Sequence, residues 1–346
     1  MLVSKTLRPV LQSLCAAALF GAAVPASKVV LSAIGPITTA GLLYLGAAIA
    51  VAPSAWRNRQ LLRTLNRRDL VRFASAALIG GGVAPVLAML ALARSPAAVV
   101  SLWLSLEVVF TGVVAALFFG EYLGPRAWLA NAIVFLGSAL LAFQGELALG
   151  AGALLAGAAC VGWAVDNNLA ANVTQVSPTQ FTFFKGAVAG VVNLAIWIAL
   201  EPHPLPPKFV LGGFVVGALG YGVSIVLYVR GARELGAARS QMLFATAPFI
   251  GAFLSWLALG ESLGAIQLIA AAIMASGLAL LLFERHDHAH AHLAHEHTHE
   301  HRHDDGHHTH QHPGIPASTR HSHVHRHDPV NHTHPHGQDE HHRHRH

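Results

Sequence analysis

Ten apolar stretches follow one another through the first 283 positions, at roughly 10–32, 36–55, 70–93, 97–119, 125–144, 149–171, 178–200, 208–230, 237–259 and 264–283. A helix needs about 20 apolar residues to cross the hydrocarbon core of a bilayer, and each stretch meets or approaches that length. Charge is correspondingly scarce. Residues 1–285 carry nine acidic side chains, and the whole chain is 11% charged, against about 25% for an ordinary soluble domain. A soluble enzyme is therefore excluded. Proline and glycine mark many of the turns, as at Gly35-Pro36, Gly124-Pro125, Ser177-Pro178 and Pro202 through Pro207. The first stretch, with Lys5 and Arg8 ahead of it and Val24-Pro25-Ala26 inside it, also has the elements of a signal peptide. Its apolar run continues past that cleavage-like site, and the reading adopted is a helix that stays. Cys15 and Cys160 lie within apolar runs, where a thiol behaves as a small hydrophobe.

Lysine and arginine in the loops set the orientation of such a chain. In a ten-span arrangement Lys5, Arg8, Arg57, Arg59, Arg63, Arg67, Arg68, Arg72, Arg126, Arg230, Arg233, Arg239 and Arg285 fall on one side, against Arg94 and Lys208 on the other. Both termini are expected in the cytoplasm, with the protein in the inner or plasma membrane. The body's charge excess belongs to this topology and implies no nucleic-acid partner.

Shifting the sequence by 140 residues aligns 77–143 with 217–283 without a gap, and twenty of the 67 positions are identical. Gly120-Glu121-Tyr122-Leu123-Gly124 meets Gly260-Glu261-Ser262-Leu263-Gly264, and Gly137-Ser138-Ala139-Leu140-Leu141 meets Gly277-Leu278-Ala279-Leu280-Leu281. Spans 1 and 6 match weakly, Phe20-Gly21-Ala22 against Val161-Gly162-Trp163. Each repeat holds five spans, an odd number, so the second copy enters the membrane upside down. The expected fold is an all-α integral membrane protein of ten transmembrane helices in two inverted five-helix repeats. The first repeat covers 1–145, the second 146–285, and a disordered cytoplasmic tail covers 286–346. Inverted repeats are the hallmark of alternating-access transporters, whose substrate site lies between the copies near the midplane. A duplicated channel or sensor is the competing reading.

The chain resembles the drug/metabolite transporter superfamily, specifically proteins with two EamA-type domains. The residues that carry the resemblance are Leu106-Glu107-Val108-Val109-Phe110 leading to Gly120-Glu121, and Ala247-Pro248-Phe249 leading to Gly260-Glu261. The resemblance implies a proline ahead of each Gly-Glu. Val108 replaces it in the first copy and Pro248 keeps it in the second, so span 4 is expected to run straighter than span 9.

Ionisable residues inside a membrane face a cavity or a partner, because each costs about 2.5–3.5 kcal/mol at mid-bilayer. Lys28 in span 1, Glu107 in span 4, Asp166 in span 6 and Lys185 in span 7 are the ones present. Glu107 lies nearest mid-helix and suits a group that takes a proton or cation in turn; a static ion pair with Lys28 or Lys185 is its structural alternative. Asp166 opens the polar run Asp166-Asn167-Asn168, of which at least one member should line water or another helix, unless the run sits at a helix end. Lys28 and Lys185 are able to snorkel, and the family resemblance implies for Lys185 a role in holding an anionic group. Glu107, Asp166, Asn167, Lys28 and Lys185 form the candidate substrate or coupling set. Glu121 and Glu261 are expected to mark turns. Gly186/Gly190 and Gly213/Gly217 have the four-residue spacing that lets helices approach closely.

Of the 25 histidines, 24 lie from His286 onward. They alternate as His-x-His, as in His297, His299, His301 and His303, and again in His321, His323, His325 and His327. Imidazole is a ligand for zinc, nickel, cobalt and copper, and these eight are the candidate metal ligands. A pH-dependent tether to anionic lipid and a solvated segment without a role are the other readings of the tail. The body contains one histidine, His203, in a proline-rich loop. The leading expectation is therefore a secondary transporter of a small organic solute that requires no cofactor, embedded in lipid as a monomer or homodimer. A nickel, cobalt or zinc transporter with the tail as metal buffer is the alternative. An integral membrane enzyme is the weakest, since no histidine or Ser–His pair joins the intramembrane acids.

Overall fold

The computed structural model describes residues 2–56, 66–119, 123–142, 150–171, 173, 176–200, 202–235, 240 and 243–282 of the body. In the tail it describes 287–292, 295–301, 321–327 and 330–335. The chain divides into a helical unit, Met1–Glu284, and a tail unit, Arg285–Gly337.

The helical unit follows the hydropathy. Spans 1 and 2 are α1 (Leu2–Leu31) and α2 (Pro36–Trp56). Span 3 is composite: α3 (Arg67–Ala76), a π-helical segment π1 (Ala77–Val83) and α4 (Ala84–Arg94). Span 4 is α5 (Ala97–Trp103) and α6 (Leu106–Phe118), and span 5 is α7 (Pro125–Ala142). The second copy continues with α8 (Ala151–Ala171), α9 (Pro178–Leu200), and α10 (Pro207–Val216) joined through π2 (Gly217–Val223) to α11 (Ser224–Leu235). It ends with α12 (Ala247–Leu259) and α13 (Ala265–Leu282). Seven of the described spans are long and apolar enough to cross a membrane. Asn66 starts span 3 by accepting the Asp69 amide at 2.8 Å, the ordinary way a helix start satisfies a free N–H.

The packing has the symmetry of the repeat. Span 2 packs on span 7 and span 5 on span 10, each a repeat position against its own equivalent. Span 1 packs on span 8 as span 6 packs on span 3, and span 1 on span 9 as span 6 on span 4. The reciprocity reaches individual atoms. A Cβ on Gly137 would stand 3.1 Å from the Ala270 carbonyl, and a Cβ on Gly277 would stand 3.0 Å from the Ala130 carbonyl. Both pairs are related by the shift of 140. The π segments are also 140 residues apart, so an irregularity invisible to hydropathy is itself duplicated.

The interior is built of small side chains. Ala40, Ala84, Ala91, Ala156 and Ala270 are fully enclosed, whereas Phe118 is 78% and Leu117 69% exposed. Large apolar groups outward and small ones inward is the arrangement of a protein solvated by lipid. At Gly186 a Cβ would come within 2.6 Å of the Tyr44 carbonyl, and at Gly190 within 2.8 Å of the Leu45 amide nitrogen. The expected close approach at this glycine pair is thus a contact between spans 7 and 2. Gly213 and Gly217 likewise press on Leu42 and Leu43.

Four segments of the tail unit are extended. β1 (Asp287–His292) pairs antiparallel with β4 (Val330–Pro335), and β2 (His295–His301) with β3 (His321–His327). The His-x-His alternation has the two-residue period of a strand, and pairing gives the backbone groups of each strand partners on the other. Two-stranded ribbons alone are marginal in water.

Candidate functional site

Spans 4 and 9 are both interrupted at their middles. In span 4 the amides of Ser105, Glu107 and Val108 donate to the carbonyls of Leu102, Leu104 and Ser105 at 3.0, 3.1 and 3.3 Å. These are three-residue steps, a tight 3₁₀ turn between α5 and α6. In span 9 Thr246 and Phe249 donate in the same way to Leu243 and Thr246, at 3.3 and 3.2 Å. Pro248 accounts for the second break, since it has no N–H to continue an α-helix. The expectation of a straighter span 4 is corrected: the break persists without the proline. Neighbouring α8 holds it, with the Cys160 thiol 3.7 Å and 3.9 Å from the carbonyls of Trp103 and Leu104. A 3₁₀ stretch in mid-helix commonly marks a hinge or a site.

Glu107 stands immediately after the break, in the first turn of α6. Asn167 Nδ2 donates to its Oε1 at 2.8 Å and approaches Thr111 Oγ1 at 3.5 Å. Asn168 Nδ2 donates to the Thr111 carbonyl at 3.1 Å and to that of Ala164 at 2.9 Å. The polar run of span 6 therefore faces span 4 and is not a solvated helix end. Neither lysine pairs with Glu107. Lys185 is committed to Asp166 Oδ2 in a buried ion pair, with the Tyr44 and Phe181 rings each 5.9 Å from its Nζ. The anion expected at Lys185 is thus a residue of the same chain. Lys28 donates to the Leu92 carbonyl and, at 2.9 Å, to that of Ser95, capping the C-terminal end of α4.

The first π segment is tied into this region. Its Gly80 carbonyl accepts both the Tyr44 hydroxyl at 2.8 Å and Trp163 Nε1 at 3.1 Å, and the Asp166 side chain occupies the space where a Gly80 Cβ would be. A wider π turn releases carbonyls from the regular ladder, and here side chains of spans 2 and 6 take one up.

Phe20, Leu104, Glu107, Val108, Phe244 and Pro248 are among the residues lining a cavity of about 20 Å³ between the two breaks. Phe20 is the centre of a ring cluster, 6.2 Å from Trp163, 5.6 Å from Tyr221 and 5.3 Å from Phe244, with Tyr228 4.9 Å from Phe244. Sequence reasoning missed these rings as site residues. The weak match of Phe20-Gly21-Ala22 with Val161-Gly162-Trp163 was the available signal, since it singles out Phe20 and Trp163. Glu261 also does more than mark a turn. Its two carboxylate oxygens accept the Ala97 and Ala98 amides at 2.8 and 2.7 Å, so the second repeat holds the start of span 4. Glu121 lies outside the described residues. So does His303, as do the side chains of the other seven candidate ligand histidines. Among the described residues no group of three or more His, Cys, Asp or Glu gathers as a metal site.

Ten helical spans in two repeats, broken at equivalent places beside the half-buried carboxylate of Glu107, define a multi-pass transport protein. The model of the EamA-like transporter family matches residues 7–143 and again 150–283. The chain belongs to the EamA-like transporter family. It is similar to an uncharacterized transporter of Methanothermobacter thermautotrophicus, 26% identical over 282 residues, which are 76% of this chain and 82% of that protein. An uncharacterized transporter of Synechocystis sp. is 27% identical over 186 residues, 51% of this chain and 56% of its own length. A solved crystal structure superposes with a TM-score of 0.61 at 19% identity, covering 79% of this chain and 95% of the other; that likeness concerns the fold. Family and relatives point to a transporter rather than an enzyme.

Proposed function

We propose that this protein is a secondary transporter that carries a small organic solute across the inner or plasma membrane by alternating access, with both termini cytoplasmic. The observation that carries the reading is Glu107. It is an acid between two half-broken helices from opposite repeats, beside a cavity, with no cation paired to it among the described residues. Discontinuous helices at a repeat interface are where secondary transporters hold solute and coupling ion. A structural acid would be expected in a closed ion pair, as Asp166 is. Uptake by purified protein in proteoliposomes, with a panel of amines, amino acids, organic acids and sugars, tests the reading. Saturable, protein-dependent movement of one class is expected; no movement of any class under imposed proton and sodium gradients overturns it.

The tail is proposed to bind divalent transition metals such as zinc, nickel, cobalt or copper. The supporting observation is its backbone register, which sets His295 opposite His327, His297 opposite His325, His299 opposite His323 and His301 opposite His321.

A further inference from the structure

We infer that the recognised feature of the solute is a single cationic amine on an apolar skeleton, in place of the zwitterion of an amino acid. The inference rests on the transport reading above and specifies its substrate class.

The first argument is charge. Among the described residues, the one charged group lining the cavity between the broken helices is Glu107. Both lysines that could neutralise it are committed elsewhere, Lys185 to Asp166 and Lys28 to the carbonyls of Leu92 and Ser95. Asn167 donates one hydrogen bond to Oε1, which orients the carboxylate without neutralising it. The helix ends do not decide the sign. Each break brings the carbonyl end of one half-helix against the amide end of the next, so their partial charges oppose each other. The side chain sets the field, and in its ionised form that field is negative.

The second argument is the walls. Phe20 of span 1 and Phe244 of span 9 line the cavity, and they belong to a larger ring cluster with Trp163, Tyr221 and Tyr228. Aromatic faces carry negative charge density and attract desolvated cations. A carboxylate or phosphate would meet both these faces and Glu107 unfavourably. The hydroxyls of Ser101 and Ser105, without a hydrogen-bond partner among the described residues, could serve an anion, but neither is among the described residues that line the cavity.

The third argument is size. A volume of about 20 Å³ matches one water-sized group, which is the size of a primary ammonium head. Among the described residues, the remaining lining side chains, those of Leu104, Val108 and Pro248 among them, carry no hydrogen-bond donor for a hydroxylated or carboxylated solute.

The test is ligand-dependent thermal stability of the full-length chain in detergent, using four probes of similar skeleton: butylamine, butan-1-ol, butyrate and norvaline. Butylamine is expected to raise the melting temperature in a saturable way at neutral pH, and the other three are not. Glu107→Gln should weaken the apparent affinity for butylamine about tenfold or more, the usual effect of losing a charge-assisted hydrogen bond. Glu107→Asp should restore part of it, and Phe244→Leu should weaken it several-fold through the lost ring face. The comparison among probes needs no variant, so it stands if Glu107→Gln fails to fold. An equal or larger response to norvaline, butyrate or butanol overturns the inference and leaves the transporter reading intact. An amine response unchanged in a folded Glu107→Gln protein also overturns it, because the amine would then bind elsewhere. Amine binding that depends on Glu107, together with no solute movement in proteoliposomes, upholds the inference and overturns the transport reading.

Discussion

Glu107 has no counterpart in the second repeat, where the aligned residue is Ala247. The charge is therefore not part of the duplicated scaffold, and removing it should leave the scaffold standing. Glu107→Gln is expected to express and insert normally, to lose solute accumulation against a gradient, and to keep exchange; accumulation like the parent's across pH 6 to 8 would make the acid structural. Asp166 should behave differently. Its Oδ2 holds Lys185 and its Oδ1 has no hydrogen-bond partner among the described residues, so Asp166→Asn leaves a buried ammonium without its anion. Breaking one side of a buried pair costs about 3–5 kcal/mol, and a lowered melting temperature is the expected readout. The sequence made both acids conspicuous, because charge in an apolar run has few explanations. It could not say which acid was paired. Lys28 and Lys185 both lie in apolar runs, and only the fold shows one meeting carbonyls and the other a carboxylate. The rings around Phe20 were not legible for the opposite reason. An aromatic residue in an apolar run looks the same whether it lines a cavity or fills a core.

Among the elements, the spans were legible from hydropathy and the irregularities within them were not. Spans 2, 4, 5 and 7 run from 36 to 56, 97 to 118, 125 to 142 and 178 to 200, within two residues of expectation. The π segments at 77–83 and 217–223 and the 3₁₀ turn of span 4 are equally apolar, so the transfer energy that finds a span carries no sign of them. Pro248 was the one visible marker of a break, and reading its absence in span 4 as straightness failed because tertiary contacts from α8 replace it. Reciprocal contacts yield an element-scale prediction. Gly137→Val and Gly277→Val should destabilise the protein by similar amounts, about 1–3 kcal/mol each for overpacking a tight contact, read as matched drops in melting temperature. Unequal drops would show that spans 5 and 10 do not share one symmetric seam.

At the scale of the molecule, the topology is testable by reporter fusions. Fusions at Arg63 and at the C-terminus should read cytoplasmic and one at Lys208 external; a cytoplasmic reading at Lys208 would exclude the inverted arrangement. Deleting 286–346 should leave a folded body, since the family match ends at residue 283. Equilibrium dialysis should show most of the nickel or zinc capacity lost with the tail, and unchanged stoichiometry would remove metal binding from it. One feature at the end of span 3 bears on the whole cycle. The turn at 92–98 is held twice, by the Lys28 ammonium on the closing carbonyls of α4 and by the Glu261 carboxylate on the opening amides of α5. Glu261 has an equivalent in Glu121, whereas the position matching Lys28 in the weak alignment of spans 1 and 6 is Leu169. A charge at a helix terminus is worth about 0.3–1 kcal/mol, and up to about 2 kcal/mol where partly buried. One unmatched tie of that size leaves the two inverted copies unequal at this turn, so their pseudo-symmetry is one of architecture and not of energy.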